Sequence, residues 1–363
     1  MIAEIAVIIP TFNERDNIAP LHSALSSVLS GCNWEAVYVD DNSPDGTAAT
    51  VQELAQHDSH VRCLLRLGRR GLSSACIEGV LATAAPYVCI MDADLQHDES
   101  IIPRMQELLR DGRFDVVVAT RYAEPGGMGT LASGRVRLSR LATWVSCTLT
   151  RVPVSDPMSG FFMFRREWFA RIAPHLSGRG FKILLDMLLS SPAPPRYAEV
   201  AYKMRSRMHG ESKLSISVVW DFGMLLAHKL SGAAIPARFI SFAAVGMSGV
   251  AVHMLVLGAL HRWAGIAFLI AQAAATGTAM TSNFVLNNRL TYPDRRLHGV
   301  AAVRGLLSFY LACAFGALVN VALAGWLASK GFPWWGAGLV GVVAGAVWNY
   351  SSTGILTWRD TSR

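Results

Sequence analysis

The residues best suited to chemistry are Asp92, Asp94 and Gln96, which end the apolar run opening VCIMDADLQHDES at Val88. In an open α/β sheet, ligands bind beyond the carboxyl ends of the strands, so carboxylates placed there meet solvent and substrate rather than core. Two carboxylates one residue apart, followed by an amide, supply hard oxygen donors. A divalent cation uses such donors while sharing its shell with substrate phosphates. An Asp-x-Asp also serves to cap a strand end before a helix, and the spacing alone does not choose between the two.

Other charged groups flank this segment in the sequence. VIIPTFNE (7–14) ends an apolar run in Pro10, Phe12 and Glu14, and VYVDDNSPDGT (37–47) ends another in Asp40 and Asp41. A carboxylate after an early strand can accept hydrogen bonds from a base or ribose. Asp40, Asp41 and Ser43 equally fit turn chemistry ahead of a helix. The cations are Arg66, Arg69 and Arg70 before GLSSACIEG, Arg121 after a fifth apolar run, then Arg135, Arg137 and Arg140, and finally Arg207 and Lys213 in RMHGESK. Most arginines of this kind are solvated, but Gly, Ser and two cations packed together can wrap a diphosphate.

These groups need elements to place them. Apolar runs of strand length at 5–9, 36–39, 61–67, 87–91 and 114–119 alternate with helical patterns at 17–29, 47–56, 72–84 and 101–110. That alternation predicts βαβ units and a mostly parallel sheet, with the ends of the first, second and fourth strands on one edge. The stretch 124–134 reads as a mobile Gly-rich loop, 135–150 as a helix with one strongly apolar face.

The chain has 363 residues, 52% apolar and 16% charged, too apolar for two ordinary soluble domains. The acids concentrate before about residue 235, and four long apolar runs follow. Domain expectations are therefore a soluble domain at 1–213, an amphipathic interfacial helix and linker at 214–237, and a four-span membrane domain at 238–358. An ordinary core helix fits 214–230 equally well.

The opening MIAEIAVIIPTFNE has no basic flank and is interrupted by Glu4, so it reads as a strand rather than a signal peptide, which keeps the soluble domain cytoplasmic. Lys229 and Arg238 precede the first span; Arg289, Arg295, Arg296 and Arg304 lie between the second and third, and Arg359 and Arg363 follow the fourth. The remaining loops hold only Arg262 and Lys330, so both termini are expected to be cytoplasmic. Six cysteines without a CxxC pair exclude a disulfide framework and a zinc site of that type. The net charge of +7 has no aromatic-basic interleaving beside it, so no nucleic acid partner is expected.

The membrane half repeats itself. Ser241, Phe242, Gly249 and Val252 match Ser308, Phe309, Gly316 and Val319; Asn283, Phe284, Leu290, Thr291 and Tyr292 match Asn349, Tyr350, Leu356, Thr357 and Trp358. This implies two helical hairpins in the same orientation. Of the polar residues in these spans, His253, Gln272, Asn283, Asn320 and Asn349, hydrogen-bonding between helices is the expected role. Gly341 and Gly345 are expected to pack within the bundle.

VIIPTFNE, VDDNSPDGT, GLSSACIEG, MDADLQHD, DPMSGFFMF (156–164) and RMHGESKLS (207–215), in that order, resemble the dolichol-phosphate mannose synthases. These are a branch of the family-2 glycosyltransferases with a GT-A fold, and the resemblance covers residues 5–215. The four-span region resembles, more loosely, the GtrA-like domain fused to some of these synthases. The resemblance implies an α/β GT-A catalytic domain joined to an all-α four-helix transmembrane domain. It implies inverting transfer of mannose from GDP-mannose to a polyprenyl (dolichyl-type) phosphate, with Mg²⁺ or Mn²⁺ as cofactor.

Carried over by position, the resemblance gives the guanosine to Pro10, Phe12, Glu14, Val39 and Asp41. Asp92, Ala93, Asp94 and Gln96 take the metal and diphosphate; Arg207 and Lys213 close over the diphosphate, and Lys182 approaches the donor. Arg121, Arg135 and Ser139 receive the lipid phosphate. Phe12 stands where tyrosine is common, and His97, in a place often held by proline, is expected to be merely exposed. A UDP-glucose-type transferase and a lipid-linked-sugar carrier or scaffold are the alternatives; a metal-dependent phosphohydrolase would need more ligands than Asp92, Asp94 and Gln96.

Overall fold

The structure, a computed structural model, describes residues 2–68, 71–121, 147–148, 150, 152–178, 180–205, 216–230 and 235–359. It divides into two compact units, Met1–Leu225 and Leu226–Arg363.

In the first unit, strands β1 (Ile5–Thr11), β2 (Trp34–Asp40), β3 (Val61–Leu65) and β4 (Tyr87–Ile90) are joined by helices α1 (Arg15–Val28), α2 (Thr47–His57) and α3 (Leu72–Leu81). Helix α4 (Ile102–Arg110), β5 (Val116–Thr120), β6 (Phe162–Arg165), α5 (Arg166–Ile172), α6 (Ile183–Ser190) and β7 (Tyr197–Ala201) follow, with short 3-10 turns at Glu99–Ile101 and Ala173–His175. The sheet order is β3-β2-β1-β4-β6-β5-β7. Strand β6 runs antiparallel to both β4 and β5, and the other pairings are parallel. Four of the six pairings are parallel, so the sheet is mostly parallel as the βαβ alternation predicts, and β6 makes it mixed; β6 and β7 come from a region where no strand is predicted.

The two-residue period of β1 decides the layers. Ile5, Val7 and Ile9 pack with Ile18, Leu21 and Leu25 of α1 and with Ile102, Met105 and Leu109 of α4. Ala6 and Ile8 pack on the other face with Ala75, Cys76 and Val80 of α3 and with Ile183, Leu184 and Met187 of α6. Both faces of the strand are covered, which is why it reads as a continuous apolar run instead of an alternation. Helix α3 approaches the sheet through Gly79, where a Cβ would stand 2.4 Å from Ile8 Cγ2.

The second unit contains helices α8 (Ala237–Leu257), α9 (Phe268–Leu286), α10 (Gly299–Ser329) and α11 (Trp334–Leu356); α7 (Ile216–Leu230) precedes them across the division between units. Among the described residues, Ala237–Trp263 and Gly299–Leu327 are long and apolar enough to cross a membrane. The internal repeat is visible in atomic contacts. Ser241 meets Thr291 at 2.8 Å and Ser308 meets Thr357 at 2.8 Å. A Cβ on Gly249 would collide with Asn283, and one on Gly316 with Asn349, so each hairpin closes on the same Gly–Asn pair.

The two hairpins also meet through matched partners. Phe284 lies 5.9 Å from Phe309, and the equivalent pair, Tyr350 and Phe242, is 5.8 Å apart. Tyr292 and its counterpart Trp358 stack on each other, 4.2 Å apart and 8° from parallel. Gly345 packs within the bundle as expected, since its Cβ would fall 3.0 Å from the Gly316 carbonyl oxygen.

Candidate active site

The carboxyl ends of β1, β2, β4, β5 and β7 lie along one edge of the sheet, and antiparallel β6 begins there. Segments distant in sequence therefore converge: 10–14, 40–43, 91–97, 121, 156–160 and 202–205. The backbone at this edge is unusual. Asn13, Asn42 and Leu95 have φ of 59°, 55° and 60°, and each follows one of these strand ends. Asparagine tolerates this left-handed conformation, whereas for leucine it costs on the order of 1 kcal/mol.

Leu95 is the turning point of the acidic segment. Asp94 is buried, and its Oδ1 accepts the Gln96 amide at 3.2 Å across this turn, while the Asp92 side chain stays 38% exposed. Gly160, just ahead of β6, faces Asp92; a Cβ there would lie 2.6 Å from Asp92 Oδ2. Among the described residues no three His, Cys, Asp or Glu side chains are grouped to hold a metal by themselves. Asp92, Asp94 and Gln96 nonetheless form an all-oxygen-capable set at an open edge. That donor set fits a hard cation completing its shell with phosphates and water, not one caged by protein.

His97 departs from its expected exposure. It is 5% exposed, with Nδ1 2.8 Å from the Tyr202 hydroxyl and Nε2 3.5 Å from Asp92 Oδ2. The turn at Leu95 carries it back toward Asp92, and β7 delivers Tyr202, a contact that local sequence cannot announce.

Asp41 is locked rather than open. Its carboxylate accepts from the Arg66 guanidinium and, at 2.7 Å, from the Gly71 amide; Arg66 is 2% exposed and also donates to Ser74 Oγ at 2.6 Å. Burial raises the Asp41 pKa, against the opposing pull of the Gly71 amide and Arg66. Asp40 performs turn chemistry, accepting from Thr11 Oγ1 at 2.9 Å, from Ser43 N at 2.8 Å and from Ser43 Oγ at 2.6 Å. Val39 and Ala93 turn their side chains into core clusters. Pro10 and Phe12 are half-buried at the end of β1, and Glu14 Oε2 accepts from Asn17 Nδ2 at 2.6 Å.

On the other side of the acids, Arg121 donates Nε and Nη2 to Asp156 Oδ2 at 3.0 and 2.9 Å, and Asp156 is 3% exposed. Burial pulls the Lys182 pKa down, while the fields of Asp156 and Asp92 pull it up and that of Arg121 lowers it. Lys182 therefore senses both the acidic segment and the Arg121–Asp156 pair. Local sequence assigns no role to Asp156 or Arg205. Arg205 pairs with Glu99 at 2.8 Å and with Asp98 at 3.2 Å, and its amide donates to the Gln96 carbonyl at 2.9 Å. The chain just ahead of RMHGESK is thereby fastened to the acidic segment. Arg69, Arg70, the loop expected at 124–134, Arg135, Ser139, Arg207 and Lys213 lie outside the described residues.

Residues 6–173 match the family described as Glycosyl transferase family 2, and residues 241–358 match the GtrA/DPMS transmembrane domain. The chain is 32% identical to the dolichol-phosphate mannosyltransferase of Pyrococcus furiosus over 98% of its own length and 99% of that protein. It is 38% identical to the Saccharomyces cerevisiae dolichol-phosphate mannosyltransferase over 61% of this chain and 85% of that one. Among solved structures, glucosyl-3-phosphoglycerate synthase of Mycobacterium tuberculosis, in complex with Mn²⁺, UDP and phosphoglyceric acid, is similar with a TM-score of 0.48 and 19% identity. That likeness covers 64% of this chain and 80% of the other.

Proposed function

Because the chain belongs to the dolichol-phosphate mannosyltransferase family, we propose that it moves mannose from GDP-mannose to the phosphate of a dolichyl-type polyprenol, inverting the anomeric carbon. The observation that carries this reading is the meeting, at one sheet edge, of the Asp92–Asp94 segment with the buried Asp156–Arg121 pair. One side offers oxygen donors for a cation and diphosphate, the other a fixed guanidinium for a second phosphate.

The lipid phosphate has a second pKa of about 6, so at neutral pH its oxygen is already anionic and needs no general base. The chain's task is alignment. Arg121, held by Asp156, orients the acceptor phosphate together with Arg135 and Ser139, which are four apart and share a face if helical. Lys182, Arg207 and Lys213 surround the donor diphosphate, and Pro10, Phe12, Glu14, Val39 and Asp41 form the nucleotide end. For Val39, 0% exposed, and Asp41, already paired, that role requires rearrangement or backbone contact. Asp92, Asp94 and Gln96 would hold Mg²⁺ or Mn²⁺, which when bound would supply charge neutralisation for the departing diphosphate.

The test is incubation of the purified full chain with a panel of sugar nucleotides, a polyprenyl phosphate and Mn²⁺, with the glycolipid identified by mass. A product formed from UDP-glucose and not from GDP-mannose would replace the donor assignment.

Acceptor and donor phosphates are separable by mutation. Arg135→Ala is expected to lower kcat/KM for polyprenyl phosphate by roughly ten- to a hundredfold, the loss of one charge-assisted hydrogen bond, with GDP affinity little changed. Arg207→Ala should weaken GDP binding itself. Calorimetry with GDP beside acceptor kinetics decides, and equal losses of GDP affinity in both variants would merge the two sites into one.

The same reading has four spans in the bilayer, with the catalytic domain and both termini cytoplasmic, and the segment 214–237, which links the domains 1–213 and 238–358 in sequence, lying in the membrane interface. Tags at either terminus should react with impermeant reagents only from the cytoplasmic side. Protection of one tag alone would require an odd number of spans.

A further inference from the structure

Beside Asp92 stand groups to which the proposed reaction gives no work: His97, Tyr202 and Phe161. The His97 ring lies 5.1 Å from Phe161 and 5.7 Å from Tyr202, and these two rings meet edge-on at 5.7 Å. Nδ1 is bonded to the Tyr202 hydroxyl at 2.8 Å and only 5% of the residue is exposed, so the imidazole is packed in place. Its other nitrogen, Nε2, is 3.5 Å from Asp92 Oδ2. From another direction the same oxygen looks onto Gly160, where even a methyl group would stand only 2.6 Å away.

The tautomer follows from the partners. The Tyr202 hydroxyl, 2.8 Å away, can donate to Nδ1. In the tautomer in which Nδ1 accepts, the ring proton sits on Nε2, on the side of Asp92 Oδ2 3.5 Å away. The opposite tautomer would set a lone pair against a carboxylate.

We propose that His97 is a positioning residue for Asp92, attracting one carboxylate oxygen electrostatically from Nε2, 3.5 Å away, so that the other is presented to the divalent cation. This rests on Asp92 being a metal ligand. Ligating carboxylates are themselves hydrogen-bonded, and loss of such an outer partner typically weakens metal binding ten- to a hundredfold. The left-handed Leu95, φ 60°, gives the device its geometry by folding His97 back onto a residue five positions earlier.

Two substitutions separate the nitrogens, because glutamine carries its amide near the Nε2 position and asparagine near Nδ1. Full-length His97→Gln and His97→Asn would be titrated with Mn²⁺ in the presence of GDP and followed by electron paramagnetic resonance. GDP binding in EDTA and thermal midpoints would be measured alongside. His97→Asn is expected to raise the Mn²⁺ Kd roughly tenfold or more, and His97→Gln to stay within about threefold of the parent, with metal-free GDP binding equal in all three. Equal losses in both variants, or none in either, would reduce His97 to packing and overturn the proposal. A parent protein that takes up no Mn²⁺ beyond what GDP binds alone would instead strike the metal assignment of Asp92 itself.

Discussion

Asp94→Asn is expected to remove mannosyl transfer almost entirely while the protein stays folded. The two side chains have the same shape, and the asparagine carbonyl can still accept the Gln96 amide that Asp94 Oδ1 receives at 3.2 Å. What disappears is a negative charge at a site that is 8% exposed, where water screens little. A carboxylate that anchors the cation opposite a departing diphosphate acts where charge develops in the transition state. Losing one such electrostatic contact costs on the order of a hundred- to a thousandfold, or roughly 2.7 to 4 kcal/mol of barrier. Turnover at saturating Mn²⁺ and the thermal midpoint in detergent should be read together. Near-parental turnover would remove Asp94 from the metal site, and a midpoint lowered by tens of degrees would make the loss a folding defect.

The parts of this site that are legible in sequence are those set by local chemistry. An apolar run that stops at Asp92 and Asp94 marks a strand end in any context, and the structure puts β4 there, one residue from its predicted boundary. The first four strands and their helices follow from uninterrupted period and turn residues. Strand β6 is four residues long and antiparallel, and β7 has only Val200 fully buried, so neither carries a periodic signal of its own. Their contributions are illegible for the same reason. Asp156 meets Arg121 across 35 residues and Tyr202 meets His97 across 105, pairings decided by strand order. The place of His97, often held by proline, predicts exposure, and nothing in LQHDES distinguishes a solvated histidine from one folded under a left-handed turn. In the membrane half, repetition made the hairpin contacts legible without any account of packing, since matched residues must meet matched partners.

Gly160→Ala separates catalysis from stability in opposite directions. Gly160 is not among the residues with positive φ, so an alanine there adopts the existing backbone. Restricting the unfolded chain then favours the folded state by about 0.4 to 1 kcal/mol where no contact is strained. The new methyl carbon would stand 2.6 Å from Asp92 Oδ2, a distance at which the oxygen must move. The carboxylate is the end of a side chain 38% exposed, so it can turn toward solvent without disturbing the core, and the fold has little to lose. Turning takes it from His97 and from the position in which, on the proposed metal site, it would face the cation with Asp94. A displacement of about 1 Å in a positioned group costs roughly a hundredfold, or about 2.7 kcal/mol, which exceeds the largest stability gain on offer. The expected result is a thermal midpoint unchanged or slightly raised, with kcat/KM down on the order of a hundredfold and Mn²⁺ affinity reduced in parallel. Parental activity in Gly160→Ala would mean that the orientation of Asp92 is immaterial to transfer. A lowered midpoint would mean that the methyl group displaced backbone, and the loss of activity would then say nothing of the carboxylate.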